Sequence, residues 1–150
     1  MAGIAALLKG HRVVGLDTSA FIYHLEGASP YAECTSSVFD ELACGSFRGV
    51  TSVLTLMELS VKPLQMGRSD VADEYEVLLV NFPNLLIVDL NRDTVRSAAE
   101  LRANYRLWPA DALQIAACPE AGATAFLTND RVLRRVAELE VVLLEDLLLR

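Results

Sequence analysis

Val13-Val14-Gly15-Leu16-Asp17-Thr18-Ser19-Ala20-Phe21-Ile22-Tyr23 is the stretch on which the fold turns. Four residues run without polar interruption, as in a strand covered on both faces of a parallel sheet, and an aspartate ends the run. A helical stretch follows at Ala20–Leu25. The same unit recurs outward along the chain. Further strands are read at Gly49–Val53, Leu85–Val88, Ala123–Leu127 and Val141–Leu143. Helical patterns lie at Tyr31–Ala43, Leu54–Gln65, Ser69–Phe82, Thr94–Tyr105, Ala110–Cys118 and Arg131–Glu138. In Ala110–Cys118, Leu113, Ile115, Ala116 and Ala117 make a helix that is apolar nearly all round. Alternation of strands and helices predicts an α/β fold with a parallel sheet. No repeat, low-complexity tract or Pro/Gly-rich linker interrupts it, so residues 1–150 are read as a single domain.

Composition narrows the class. Hydrophobic residues are 53% of the chain, far above the regime in which chains stay disordered. No apolar run approaches the ~20 residues of a membrane span. Met1 to Arg12 contains only the short apolar run Ile4–Leu8, with basic residues after it, the reverse of a secretory signal. The expectation is a cytoplasmic protein with no membrane partner. Cys34, Cys44 and Cys118 form no C-x-x-C pair and are expected to be buried thiols in a reducing compartment, which makes a disulfide framework or zinc site a poor expectation. A net charge of -7 argues against coating nucleic acid by bulk electrostatics. It leaves room for a nuclease, whose clustered carboxylates collect metal ions while local arginines hold phosphates.

In open parallel sheets, ligands bind beyond the carboxyl ends of the strands, so the acids that follow strands are the ones that matter. Asp17 follows the first strand directly. Asp130 follows Ala125-Phe126-Leu127 after the link Thr128-Asn129. Glu58 lies about one turn into the helix after Gly49–Val53, and Asp111 opens the apolar helix after Trp108-Pro109-Ala110. Each has an ordinary explanation taken alone. Asp17 and Asp130 suit helix N-caps, Thr55-x-x-Glu58 spells a capping box, and Asp111 suits the positive end of a helix dipole. Their conjunction asks for more. Carboxylates sharing one crevice repel each other unless a cation neutralises them. An all-oxygen set without His or Cys favours Mg²⁺ or Mn²⁺ over zinc, and such a site can activate water for in-line attack on a phosphodiester. Thr18, Ser19 and Thr128 are placed to hydrogen-bond the acids and orient them.

Leu16-Asp17-Thr18-Ser19-Ala20-Phe21-Ile22, Thr55-Leu56-Met57-Glu58-Leu59, Ala110-Asp111-Ala112-Leu113-Gln114-Ile115-Ala116 and Leu127-Thr128-Asn129-Asp130-Arg131 together resemble the PIN domain in order and approximate spacing. The likeness spans Val13 to Leu144. It implies a three-layer α/β/α sandwich with a five-stranded parallel sheet in the order 3-2-1-4-5. It also implies Mg²⁺- or Mn²⁺-dependent cleavage of RNA, a VapC-like toxin paired with an antitoxin protein, and a homodimer. Asp17, Glu58, Asp111 and Asp130 match the family's acidic quartet, with Asp17, Asp111 and Asp130 as the metal ligands. Two departures stand out. Leu133 takes a place where many relatives carry an aromatic, a matter of packing, and the segment before Val13 is longer than in many toxins.

Arg131 and Arg134, with Arg135 beside them, are candidates to hold RNA phosphates, as are Lys62, Arg68, Arg102 and Arg106. His11 and His24 flank the first strand and its helix and are read as structural. The tail Glu138–Leu149 reads as a closing strand and a short helix. Other parallel α/β sites fit poorly. A receiver-like phosphoacceptor needs an acidic pair by the first strand and a late lysine, and neither His11-Arg12 nor Leu127–Arg131 supplies these. A haloacid-dehalogenase phosphatase needs Asp-x-Asp, where Asp17 is followed by Thr18-Ser19. The remaining alternative is a PIN module that binds RNA or protein without catalysis. Finally, Leu54, Leu56, Leu59, Val71, Leu78 and Leu79 exceed what a helix pair needs to cover a sheet and are expected to form the homodimer contact.

Overall fold

The structure, a computed structural model, describes residues 3–27 and 29–148. Along the chain it runs α1 (Gly3–Leu7), β1 (Val13–Leu16), α2 (Thr18–Glu26), α3 (Ala32–Cys44), β2 (Arg48–Ser52), α4 (Val53–Gln65) and α5 (Ser69–Val80). It continues as β3 (Leu85–Val88), α6 (Arg92–Tyr105), α7 (Pro109–Glu120), β4 (Ala125–Thr128), a 3₁₀ stretch (Arg131–Arg135), β5 (Glu140–Leu143) and α8 (Leu144–Leu148). The five strands are all parallel in the order β3-β2-β1-β4-β5. The expected fold and strand order are those observed.

The sheet divides the core in two. Val14, Leu16, Ala125 and Leu127 pack with Phe21, Val38, Phe39 and Leu42 of α2 and α3. Val50 and Phe126 pack on the other side with Leu101, Ile115 and Ala116 of α6 and α7. This is the alternation a strand imposes, with residues two apart sharing a face. Gly15 is the exception that the packing requires. A Cβ there would lie 2.6 Å from Cys118 Sγ and 2.8 Å from Phe126 Cδ1, both in the buried interior. The missing side chain lets α7, and Asp111 at its start, lie close against the central strand. Gly15→Ala should therefore lower the unfolding free energy by about 1–3 kcal/mol through overpacking, read as a fall in the urea midpoint. An unchanged midpoint would show that the close approach is dispensable.

The differences from the expected elements have local causes. Strand β2 ends at Ser52, because the Ser52 hydroxyl accepts from Leu54 N and caps α4 there. Thr55-x-x-Glu58 is thus no capping box: Thr55 lies inside the helix, fully buried. Asp17 caps α2 at once, so that helix starts at Thr18, two residues earlier than its apolar pattern suggests. The expected helix Arg131–Glu138 is only the 3₁₀ stretch Arg131–Arg135. Val136 already takes extended backbone (φ -73°, ψ 124°), which carries the chain to Glu140, where it pairs with Ala125 as β5; Leu133, Val136 and Leu139 all enter the second core cluster. Leu133 is a buried packing residue. Helix α1 was not expected from the sequence; its Ile4 and the adjacent Leu8 join the first cluster. No helix among the described residues is long and apolar enough to cross a membrane.

Candidate active site

Asp17 stands at the carboxyl end of the central strand, in extended geometry (φ -73°, ψ 156°), as the N-cap of α2. Its Oδ1 accepts from Thr18 N at 2.9 Å and its Oδ2 from Thr128 Oγ1 at 2.6 Å. The same Thr128 hydroxyl accepts from Asp130 N at 3.1 Å, so one side chain spans two of the acids. Parallel pairing of β1 with β4, Leu16 beside Leu127, brings Thr128 to this place. Asp130 caps the 3₁₀ stretch, its Oδ1 accepting from Val132 N at 3.0 Å. Both aspartates are thus N-caps and neighbours in one site, and the two explanations do not compete.

Glu58 is exposed in the second turn of α4, and its Oε1 accepts from Thr18 Oγ1 at 3.0 Å. Beneath it lies a buried polar group that the sequence reading missed. Gln114 Nε2 donates to Thr55 Oγ1 at 2.7 Å and to Thr51 Oγ1 at 3.3 Å, while its Oε1 accepts from Ser52 Oγ. Thr18 Oγ1 and Thr55 Oγ1 are 3.0 Å apart, which links this network to Glu58. The available signal was Gln114 itself. A lone amide in a helix apolar all round must find partners, because an unpaired buried amide costs a few kcal/mol.

The electrostatics are one-sided. Loss of solvation raises the Asp17 pKa most, its two hydrogen bonds pull it back, and the charges of Glu58 and Asp130 raise it further. Asp111, half-buried in the first turn of α7, is pushed up to about 6, first by desolvation and then by the charges of Asp17 and Asp130. Asp17 thus feels Glu58 and Asp130, and Asp111 feels Asp17 and Asp130, which links the four predicted acids. Among the described residues, no cation is one of the charges that bear on Asp17 and Asp111. An all-oxygen set with uncompensated negative charge suits a hard divalent ion. The carboxylates are not gathered around a common point, however. Among the described residues, no three Asp, Glu, His or Cys side chains are set to hold an ion. Asp17, Asp111 and Asp130 do not stand as a preformed three-ligand cluster. Both Asp17 oxygens and Asp130 Oδ1 already accept hydrogen bonds, and mutual repulsion keeps the charges apart.

The supporting residues divide. Thr18 and Thr128 hydrogen-bond the acids, but the buried Ser19 hydroxyl has no hydrogen-bond partner among the described residues and orients none of the acids. Arg131, after Asp130, makes a bidentate pair with Glu145 at 2.8 Å, and Arg134 pairs with Asp146 at 2.6 Å. A phosphate would have to compete with those two carboxylates. His24 stacks on Phe39 at 4.5 Å between ring centroids, a packing role. His11 Nδ1 lies 2.7 Å from Thr124 Oγ1, on the side of the sheet where β4 begins.

Comparison with known proteins agrees with this geometry. A chain of the VapBC2 crystal structure from Rickettsia felis, bound to a DNA fragment from their promoter, superposes with a TM-score of 0.69 at 16% identity, over 87% of this chain and 98% of that one. A toxin–antitoxin complex from Klebsiella pneumoniae gives 0.64 at 17% identity, covering 86% and 95%. DNA-bound VapBC from Salmonella typhimurium gives 0.66 at 18% identity, covering 87% and 97%. No curated protein sequence matches the chain. At such identities the likeness is one of fold. The PIN domain profile, however, matches residues 14–139, from the second residue of the central strand to the threshold of the last. With the sheet order, the acids at its carboxyl rim and this match in agreement, the chain belongs to the PIN domain family.

Proposed function

We propose that this protein is a metal-dependent endoribonuclease that hydrolyses RNA phosphodiester bonds, with Asp17, Glu58, Asp111 and Asp130 as its catalytic acids. The observation that supports it is a chain of repelling carboxylates, Glu58 and Asp130 acting on Asp17, and Asp17 and Asp130 on Asp111, with no cation among the described residues bearing on Asp17 or Asp111. Mg²⁺ or Mn²⁺ held by Asp17, Asp111 and Asp130 would neutralise charge, polarise the phosphoryl oxygens and lower the pKa of a bound water. Thr128 fixes the Asp17 carboxylate through its hydroxyl and ties Asp130 to the same point. Thr18 holds Glu58 by Oε1, leaving Oε2 to accept a proton from the attacking water. Arg131 and Arg134 bind RNA phosphates by exchanging Glu145 and Asp146 for them.

The reading extends to a cytoplasmic VapC-type toxin held by an antitoxin protein, which the fold shared with chains of VapBC complexes supports. Incubation with total RNA, with and without Mg²⁺, followed by mapping of the cut ends, tests the activity. A binding module without catalysis is the second reading, favoured by the ungathered carboxylates. Mn²⁺ binding at equilibrium without any cut RNA would decide for it.

The dimer proposal changes its residues. Leu59 and Leu79 belong to the core, and of the six apolar residues singled out in the sequence only Leu78 is exposed. The open apolar surface consists instead of Met57, Val61 and Leu64, one stripe of α4, with Val77, Leu78 and Val80 at the end of α5. Such surface marks an association site. The expected result is a dimer mass by light scattering at micromolar concentration, converted to a monomer by Val61→Glu combined with Leu64→Glu. A monomeric mass for the unaltered protein would sink the proposal.

A further inference from the structure

We infer that Trp108, with Arg102 and Arg106 beside it, is a platform on which an unpaired base of single-stranded RNA stacks at the edge of the acidic site. The inference rests on the ribonuclease reading above and names a feature of its substrate. Trp108 is the only tryptophan of the chain, and 78% of it is exposed. It occupies the N-cap of α7, where Ser, Thr, Asp or Asn would satisfy a free backbone N–H, and it makes no such bond. The position thus gains nothing from Trp in capping and little in burial.

Its backbone is held firmly. Arg106 sits in the left-handed region (φ 54°, ψ 44°), and its N–H donates to Arg102 O at 2.8 Å. Arg102 Nε donates to Leu107 O at 3.0 Å, Leu107 is buried, and Pro109 follows Trp108 as the first helical residue. A ring on so fixed a support loses little freedom when a ligand covers it. Trp108 lines a shallow depression of about 450 Å³ with Arg102, Ala103, Arg106 and Leu107.

Charge and place identify the occupant. Arg68, Arg131 and Arg134 are paired with carboxylates, whereas among the described residues neither Arg102 nor Arg106 has such a partner. On a chain of net charge -7, two unpaired guanidiniums around an exposed indole suit a phosphate on either side of a stacked base. Asp111 lies in the first turn of the helix that Trp108 begins, so a base stacked here leaves its neighbouring phosphates within reach of the acids. A protein partner fits less well. The other exposed large apolar residue of α6 and α7 is Val95, in the first turn of α6 at its opposite end. Protein docking calls for contiguous apolar surface, and the chain carries that on α4 and α5.

The sole tryptophan makes the test direct. A short unstructured single-stranded RNA, labelled for anisotropy, is titrated with the full-length protein in EDTA while indole emission is followed. Emission should be quenched and saturate together with the anisotropy, and a duplex of the same sequence should leave it unchanged. Trp108→Ala should weaken binding at least about five-fold, and Trp108→Phe should recover most of the loss. Unchanged emission at saturating RNA, equal quenching by duplex, or undiminished binding by Trp108→Ala would overturn the inference. So would emission that changes with protein concentration before RNA is added, which assigns the ring to a protein contact. Cleavage in Mn²⁺ with unresponsive emission removes the platform and leaves the ribonuclease; quenching with no cleavage in Mn²⁺ does the reverse.

Discussion

Asp17→Asn should abolish nearly all RNA cleavage while leaving the protein folded and, without metal, more stable. Loss of a residue that merely orients a metal ligand costs about 10–100-fold, so loss of a ligand charge should cost at least about a hundred-fold. The fold survives because the amide keeps the shape. Its Oδ1 still accepts from Thr18 N, and its Nδ2 can donate to Thr128 Oγ1 where Oδ2 formerly accepted. Stability rises because the aspartate is desolvated and faces Glu58 and Asp130, which is why its pKa is raised. Two measurements check this: initial cleavage rates in saturating Mn²⁺, and the thermal midpoint in EDTA. Full activity in the variant would remove Asp17 from the mechanism. A lowered midpoint in EDTA would show that its two hydrogen bonds outweigh the repulsion.

EDTA should likewise extinguish cleavage, and the loss should depend on pH in a specified direction. Mg²⁺ and Mn²⁺ should restore it, whereas Ca²⁺ should bind and support it poorly, since its looser, more numerous coordination positions water badly for in-line attack. Protons compete with metal for the carboxylates. With Asp111 pushed up to about 6, activity at low Mn²⁺ should fall about ten-fold per pH unit below that point, and raising Mn²⁺ should move the fall to lower pH. Stability in EDTA follows the same group. Below about pH 4, Asp111 is protonated in both the folded and the unfolded chain. As pH rises through 6, the unfolded chain releases that proton before the folded one does, so stability is lost. With solvent screening of a half-buried group, the loss is about 1–2 kcal/mol by pH 7. Urea midpoints of the wild type and Asp111→Asn at pH 4.5 and 7.5 isolate it. The wild type should lose more than the variant, and Mn²⁺ should close the gap. A pH profile indifferent to metal concentration would refute the metal mechanism.

Much of this was legible in the residues. Val13–Leu16 and Ala125–Thr128 are apolar almost throughout because parallel central strands are covered on both faces, and the acids that end them mark the functional rim wherever the helices lie. The order β3-β2-β1-β4-β5 came with the resemblance carried by the four acidic motifs, which already fixed Asp17, Glu58, Asp111 and Asp130 as the residues to watch. Tertiary structure decided the rest, since those features depend on residues distant in the chain. Thr128 reaches Asp17 across 111 positions and Gln114 reaches Thr55 across 59, contacts that exist only once β4 lies beside β1 and α7 beside β2. The same distance hid Ser19, whose buried hydroxyl hydrogen-bonds none of the acids. It hid the truncation of the last helix to Arg131–Arg135, where Val136 turns extended and the chain runs on to pair β5 with β4. Local pattern determines which segments become strands and where their chemistry sits, because burial on two faces and helix capping act within a few residues. Which hydroxyl holds which acid, and which apolar side chains stay exposed, is settled only by packing between elements.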